Sequence, residues 1–114
     1  MSQLQTVIEL QSFIRRASAI MSDEERDELV NVVAANPEAG ISLGGGLRKM
    51  RIARPGAGRS GGYRTVYVFG GRRMPIILLT VFAKNEKANL SRTELTEAVA
   101  LSKTLIRHYG GHDE

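Results

Sequence analysis

The chain has 114 residues, 42% of them apolar, with 16 Lys+Arg against 12 Asp+Glu for a formal net charge of +4, the balance of one ordinary globular domain with a modest core. It has no cysteine, and its two histidines lie in the last seven residues, which excludes disulfides, thiolate catalysis and Cys-ligated metal sites and argues against a His-rich metal centre. With no apolar run long enough to span a membrane and no basic-then-apolar leader over Met1–Gln5, the expectation is a single cytoplasmic domain over residues 1–114 that uses no cofactor and no metal.

Residues 4–8 read as a short strand. Leu10, Phe13, Ile14, Ala17 and Met21 then recur at helical spacing, predicting a first helix over about 9–20. Ser22-Asp23-Glu24-Glu25 is a capping box, with acids in the first turn to suit the helix dipole. The helix it opens carries Leu29, Val30, Val32 and Val33 and ends before Pro37. A Gly-rich connection (Gly40, Gly44, Gly45, Gly46) leads to a strand over 47–54, where Met50 and Ile52 alternate with Lys49 and Arg51. Residues 63–69 form a second strand, followed by the hairpin signal Gly70-Gly71. Residues 76–83, apolar apart from Thr80, predict a central strand covered on both faces. Ser91-Arg92-Thr93-Glu94 is a second capping box, with Leu90 and Leu95 as a hydrophobic staple, and the last helix ends at Gly110-Gly111. The fold class is therefore α+β, in the order β-α-α-β-β-β-α.

Charge is unevenly placed. Residues 1–40 hold three arginines against seven acids, and residues 86–114 hold four cations against five acids. Residues 41–85 hold nine cations (Arg48, Lys49, Arg51, Arg54, Arg59, Arg64, Arg72, Arg73 and Lys84) and no acid. Such a field attracts polyanions, and seven of its nine cations are arginine, the residue whose fork matches phosphate. Nucleic acid is thus the expected ligand class.

Gly56-Ala57-Gly58-Arg59-Ser60-Gly61 matches G-x-G-x-x-G literally. A strand rather than a helix follows it and no acid stands about 20 positions on, so it is no dinucleotide site. It reads either as a plain strand–strand loop or as a loop that brings Arg59 close to a phosphate. If neighbouring strands pair, this loop, Arg64 and Lys84 converge on one cationic cleft. Arginine and lysine stabilise phosphorane charge when an RNA 2′-hydroxyl attacks its own phosphodiester. Proton transfer is the less provided step, since no histidine lies in the basic segment. Tyr63 and Tyr67 share a strand face, as core residues or as base-stacking platforms. His108 is expected as a helix-end cation and His112 as a frayed tail.

Three ordered motifs carry a family resemblance: Gly45-Gly46-Leu47-Arg48-Lys49-Met50-Arg51, Gly61-Gly62-Tyr63-Arg64-Thr65-Val66-Tyr67, and Leu78 through Lys87 with its Lys84-Asn85-Glu86 core. Over about residues 20–105 the chain resembles the RelE/HigB toxins of type II toxin–antitoxin systems, nearest the HigB-like branch. The resemblance implies a twisted, mostly antiparallel sheet packed by two N-terminal helices. It also implies ribosome-dependent, metal-free cleavage of mRNA that inhibits translation. The implied partners are the ribosome, its mRNA and a cognate antitoxin, typically a helix-turn-helix DNA-binding protein, with a heterotetramer as one form of the complex. Matched residue by residue, Arg64 and Lys84 take catalytic positions and Arg59 that of a phosphate clamp. Arg48, Lys49, Arg51, Arg54, Arg72 and Arg73 fall to RNA docking. The chain departs from relatives at Ala57 and Ser60, where they are commonly basic, at Phe82, where many have Tyr, and at Asn89, where many have Asp. Two other readings stay open: a gyrase-poisoning toxin of the ParE branch, and a non-catalytic RNA- or ribosome-binding module.

Overall fold

The computed structural model describes residues 5–53, 62–86 and 89–112. In chain order they form β1 (Val7–Glu9), α1 (Gln11–Ile20), α2 (Asp23–Ala35), β2 (Ile41–Gly44), β3 (Leu47–Ile52), β4 (Tyr63–Val68), β5 (Ile76–Ala83) and α3 (Arg92–Tyr109). The strands make one five-stranded sheet in the order β1-β5-β4-β3-β2. β1 runs parallel to β5, and every other pairing is antiparallel. The α+β class and the mostly antiparallel sheet follow the sequence reading.

One strand is added to it. The Gly-rich connection contains β2, which pairs Ile41 with Lys49 and Ser42 with Arg48 before an irregularity at Gly44. Four residues beside a glycine run carry little strand signal of their own; pairing with β3 makes the strand. Gly46 allows the turn between them. Its φ is +84°, and a Cβ there would run into Ile106 of α3, so only glycine suits both the backbone and the close helix.

Both faces of the sheet are covered. On one face, Phe13 and Ala17 of α1 and Leu29 and Val33 of α2 pack on Met50, Ile52, Tyr63, Tyr67 and Leu78. On the other, Ile106 of α3 packs with Leu47, Val66, Val68, Ile77, Leu79 and Phe82. The helix starts are fixed as their sequences require. Ser22 Oγ accepts from Glu25 N–H at 3.1 Å, and Ser91 Oγ accepts from Glu94 N–H at 3.1 Å. In return, the Glu side chains accept the Ser22 and Ser91 N–H groups at 2.9 and 2.8 Å. Leu90 and Leu95 both pack against the α3-side cluster, completing the staple. At the other end of α3, Gly110 takes φ +78° and Gly111 N–H donates to Ile106 O at 2.9 Å. The tail does not fray there, because His112 N–H donates to Gly70 O at 3.0 Å.

A bulge sets the phase of the central strand. Val66 pairs with Thr80 but Tyr67 pairs with Leu78, leaving Leu79 as the extra residue. From Thr80 onward the alternation of β5 is therefore shifted by one. That shift puts Phe82 on the α3 side, directly across from Arg64.

Candidate nucleic-acid interface

The cationic segment folds into β3, β4 and β5, and their register decides which charges meet. Arg51 is the direct cross-strand partner of Arg64, and Arg64 in turn is the partner of Phe82. Met50 and Ile52 enter the core under α1 and α2, so alternation sends Lys49 and Arg51 to the opposite face, with Arg64, Val66 and Val68. α3 covers one end of that face: Ser102 Oγ donates to Gly45 O at 2.7 Å, and Ile106 lies over Gly46. At the other end Arg51 is exposed and Lys49 and Arg64 are half-buried.

A cleft of about 670 Å³ opens there, lined by Lys49, Arg51 and Arg64 together with Asn36, Ile41 and Asn89 among others; none of its described lining residues is acidic. Lys49 Nζ donates to Asn89 Oδ1 at 2.6 Å. Arg64 Nη1 makes one long bond, to Tyr63 O at 3.4 Å. Burial first, and then the charge of Arg51, lower the pKa of Arg64 from the ordinary arginine value. Arginine keeps its proton in proteins, so the two cations repel across the strands, and an anion bound beside Arg64 would be attracted by both.

Lys84 lies at the neighbouring strand end. It follows β5 directly, and its backbone N–H donates to Gly62 O at 3.1 Å, two residues before Arg64 on β4. The turn that carries it is tied down from α1. Arg16 Nη2 meets Glu86 Oε1 at 2.8 Å and Arg16 Nε donates to Val81 O at 3.4 Å. Ala83 N–H donates to the same Glu86 oxygen at 3.0 Å. Sequence reasoning singled out neither Arg16 nor Glu86 as a support of the site; a lone acid two residues after Lys84 was the available signal.

The remaining expected site residues divide by position. Arg48 Nη2 donates to Glu38 O at 3.1 Å and Gly40 O at 2.8 Å, which ties the α2–β2 connection to β3. Arg72 and Arg73 are exposed in the β4–β5 connection, at the far ends of those strands from Arg64. Arg54 and Arg59, with the rest of the glycine loop, lie outside the described residues. Tyr63 and Tyr67 are core residues and offer no stacking platform, being 2% and 0% exposed. Tyr63 OH bonds with Ile20 O and Glu25 Oε2, both at 3.1 Å, and Tyr67 OH donates to Pro37 O at 2.7 Å.

Among the described residues no group of three or more His, Asp or Glu side chains is placed to hold a metal ion, and no helix is long and apolar enough to cross a membrane. Compared with known protein families, residues 6–110 match the model described as the RelE toxin of the RelE/RelB toxin–antitoxin system.

Proposed function

This chain belongs to the RelE family of toxins from toxin–antitoxin systems, and from that premise we propose that it is a ribosome-dependent endoribonuclease that cuts mRNA and so inhibits translation. The family implies a cognate RelB-type antitoxin. The observation that carries the catalytic reading is the acid-free cleft in which Arg51 faces Arg64 across two strands.

In the reaction we propose, the RNA 2′-hydroxyl passes its proton to water as its oxygen attacks the adjacent phosphorus. The bond from phosphorus to the 5′-oxygen breaks, leaving a cyclic phosphate and a 5′-hydroxyl. Negative charge grows on the phosphorane oxygens, and Arg64, with Arg51 beside it, offers fixed cations there. Lys84, at the adjoining strand end, is the electrostatic catalyst or the proton-transfer group for the departing 5′-oxygen. Lys49 holds a flanking phosphate, and Arg59 of the loop is the phosphate clamp. Phe82 sits where an aromatic hydroxyl would otherwise be available and transfers no proton, which leaves the cations as the principal catalytic resource. Docking on ribosomal RNA falls to Arg48, Arg54, Arg72 and Arg73; Arg72 and Arg73 are exposed away from the cleft, which suits a large polyanionic surface. The partner antitoxin is proposed as a helix-turn-helix DNA-binding protein, in a complex that includes a heterotetramer.

The test is cleavage of a defined message by purified protein, with and without ribosomes. Cleavage that requires ribosomes supports the reading. Intact message under active translation overturns it.

A further inference from the structure

A polar link between side chains crosses the cleft wall: Lys49 Nζ donates to Asn89 Oδ1, 40 residues away in sequence, at 2.6 Å. Its two ends are differently anchored. Lys49 sits on β3 between Ile41 of β2 and Val66 of β4. Asn89 lies just before Leu90, which packs into the α3-side cluster, and Ser91, which caps α3 through its reciprocal bonds with Glu94. The start of α3 therefore fixes the amide, and the amide fixes the end of a long, flexible lysine side chain on the cleft wall.

The chemistry of the acceptor matters as much as its place. A carboxylate at this distance would form an ion pair and cancel the field of the ammonium toward a third group. An amide oxygen orients Lys49 and leaves its charge intact. Every described lining residue of the cleft is likewise non-acidic, so the neutral acceptor belongs to a wall that keeps its full positive charge.

We propose that Asn89 is a positioning residue, a neutral acceptor that presents Lys49 at full charge to an RNA phosphodiester bound next to the one held by Arg64. The proposal rests on the RNA-cleft reading above, and it assigns to Asn89 an effect on binding rather than on the chemical step.

The experiment measures binding of the full chain and its variants to purified ribosomes carrying a short defined mRNA, across a range of salt concentration. Asn89→Asp is expected to weaken binding about tenfold at low salt. It should also flatten the plot of log K against log salt by about 0.7, the value of one phosphate contact on a single strand. Asn89→Ala is expected to weaken binding only about two- to fivefold, with the salt slope unchanged. In a Lys49→Ala background, Asn89→Ala should have no further effect. A wild-type slope in Asn89→Asp, or an equal effect of Asn89→Ala with and without Lys49, overturns the proposal while the cleft reading stands. If Arg64→Ala and Lys49→Ala also bind and cleave as the parent does, the cleft reading itself fails.

Discussion

Arg51 on β3 and Arg64 on β4 are direct cross-strand partners, so two cationic side chains leave neighbouring strands on one face of the sheet. Like charges directly opposite one another destabilise a sheet. The arrangement is tolerated at the open end of the face, beyond the cover of α3, where an anionic ligand has access. Arg64→Ala is expected to lower cleavage about 100-fold, the typical effect of removing one fixed group that stabilises transition-state charge. Single-turnover assays on the purified variant check this.

Removing the Arg64 charge should leave stability intact. Burial and Arg51 lower the Arg64 pKa, and a cation whose folded-state pKa is lowered costs stability wherever folded and unfolded chains both carry it. That cost disappears only as pH rises through the folded value, in strongly alkaline solution. Between about pH 5 and 9 it is constant, because arginine stays charged. Arg64→Gln should therefore melt at the parent temperature or slightly above it, with no new pH dependence in that window. Thermal denaturation at several pH values reads this directly, and a melting temperature well below the parent would contradict it.

Arg16 and Glu86 hold the turn that carries Lys84. Their side chains are each 41% exposed, so the ion pair contributes at most about 1 kcal/mol to folding. Arg16→Ala is expected to cost little stability yet lower cleavage about tenfold, because it displaces Lys84 from the catalytic position proposed for it. Comparing melting temperature with single-turnover rate separates the two effects.

Gly46 joins β2 to β3 under Ile106. Gly46→Ala should lose about 2 kcal/mol from the strained positive-φ backbone, with the end of the Ile106 side chain shifting to make room. Urea unfolding measures the loss. Tyr67→Phe, which leaves the Pro37 carbonyl without the hydroxyl seen at 2.7 Å, should cost about 1–2 kcal/mol by the same method.

Much of this was legible in the sequence, for identifiable reasons. Both capping boxes, the staple at Leu90 and Leu95 and the alternation of Met50 and Ile52 with Lys49 and Arg51 are local signals, and each is realised. β2 was not legible, because a four-residue edge strand between glycines exists only through its pairing with β3. The meeting of Arg51 with Arg64 depended on the β3–β4 register, which composition does not set. Arg48 and Arg51 are alike as letters. Yet alternation sends them to opposite faces, Arg48 to the Glu38 and Gly40 carbonyls and Arg51 to the cleft. Tyr63 and Tyr67 were open between core and stacking, and their hydroxyl partners place them in the core. The tail at His112 gave no local sign of order, since its partner is the Gly70 carbonyl some 40 residues away.

The most direct test of the central claim is transcript-end mapping after induced expression of the parent chain and of Arg64→Ala. The account predicts new 5′ ends within translated reading frames for the parent, and their loss in the variant with the folded protein still present. Growth arrest with intact messages, or the same ends from Arg64→Ala, would contradict it.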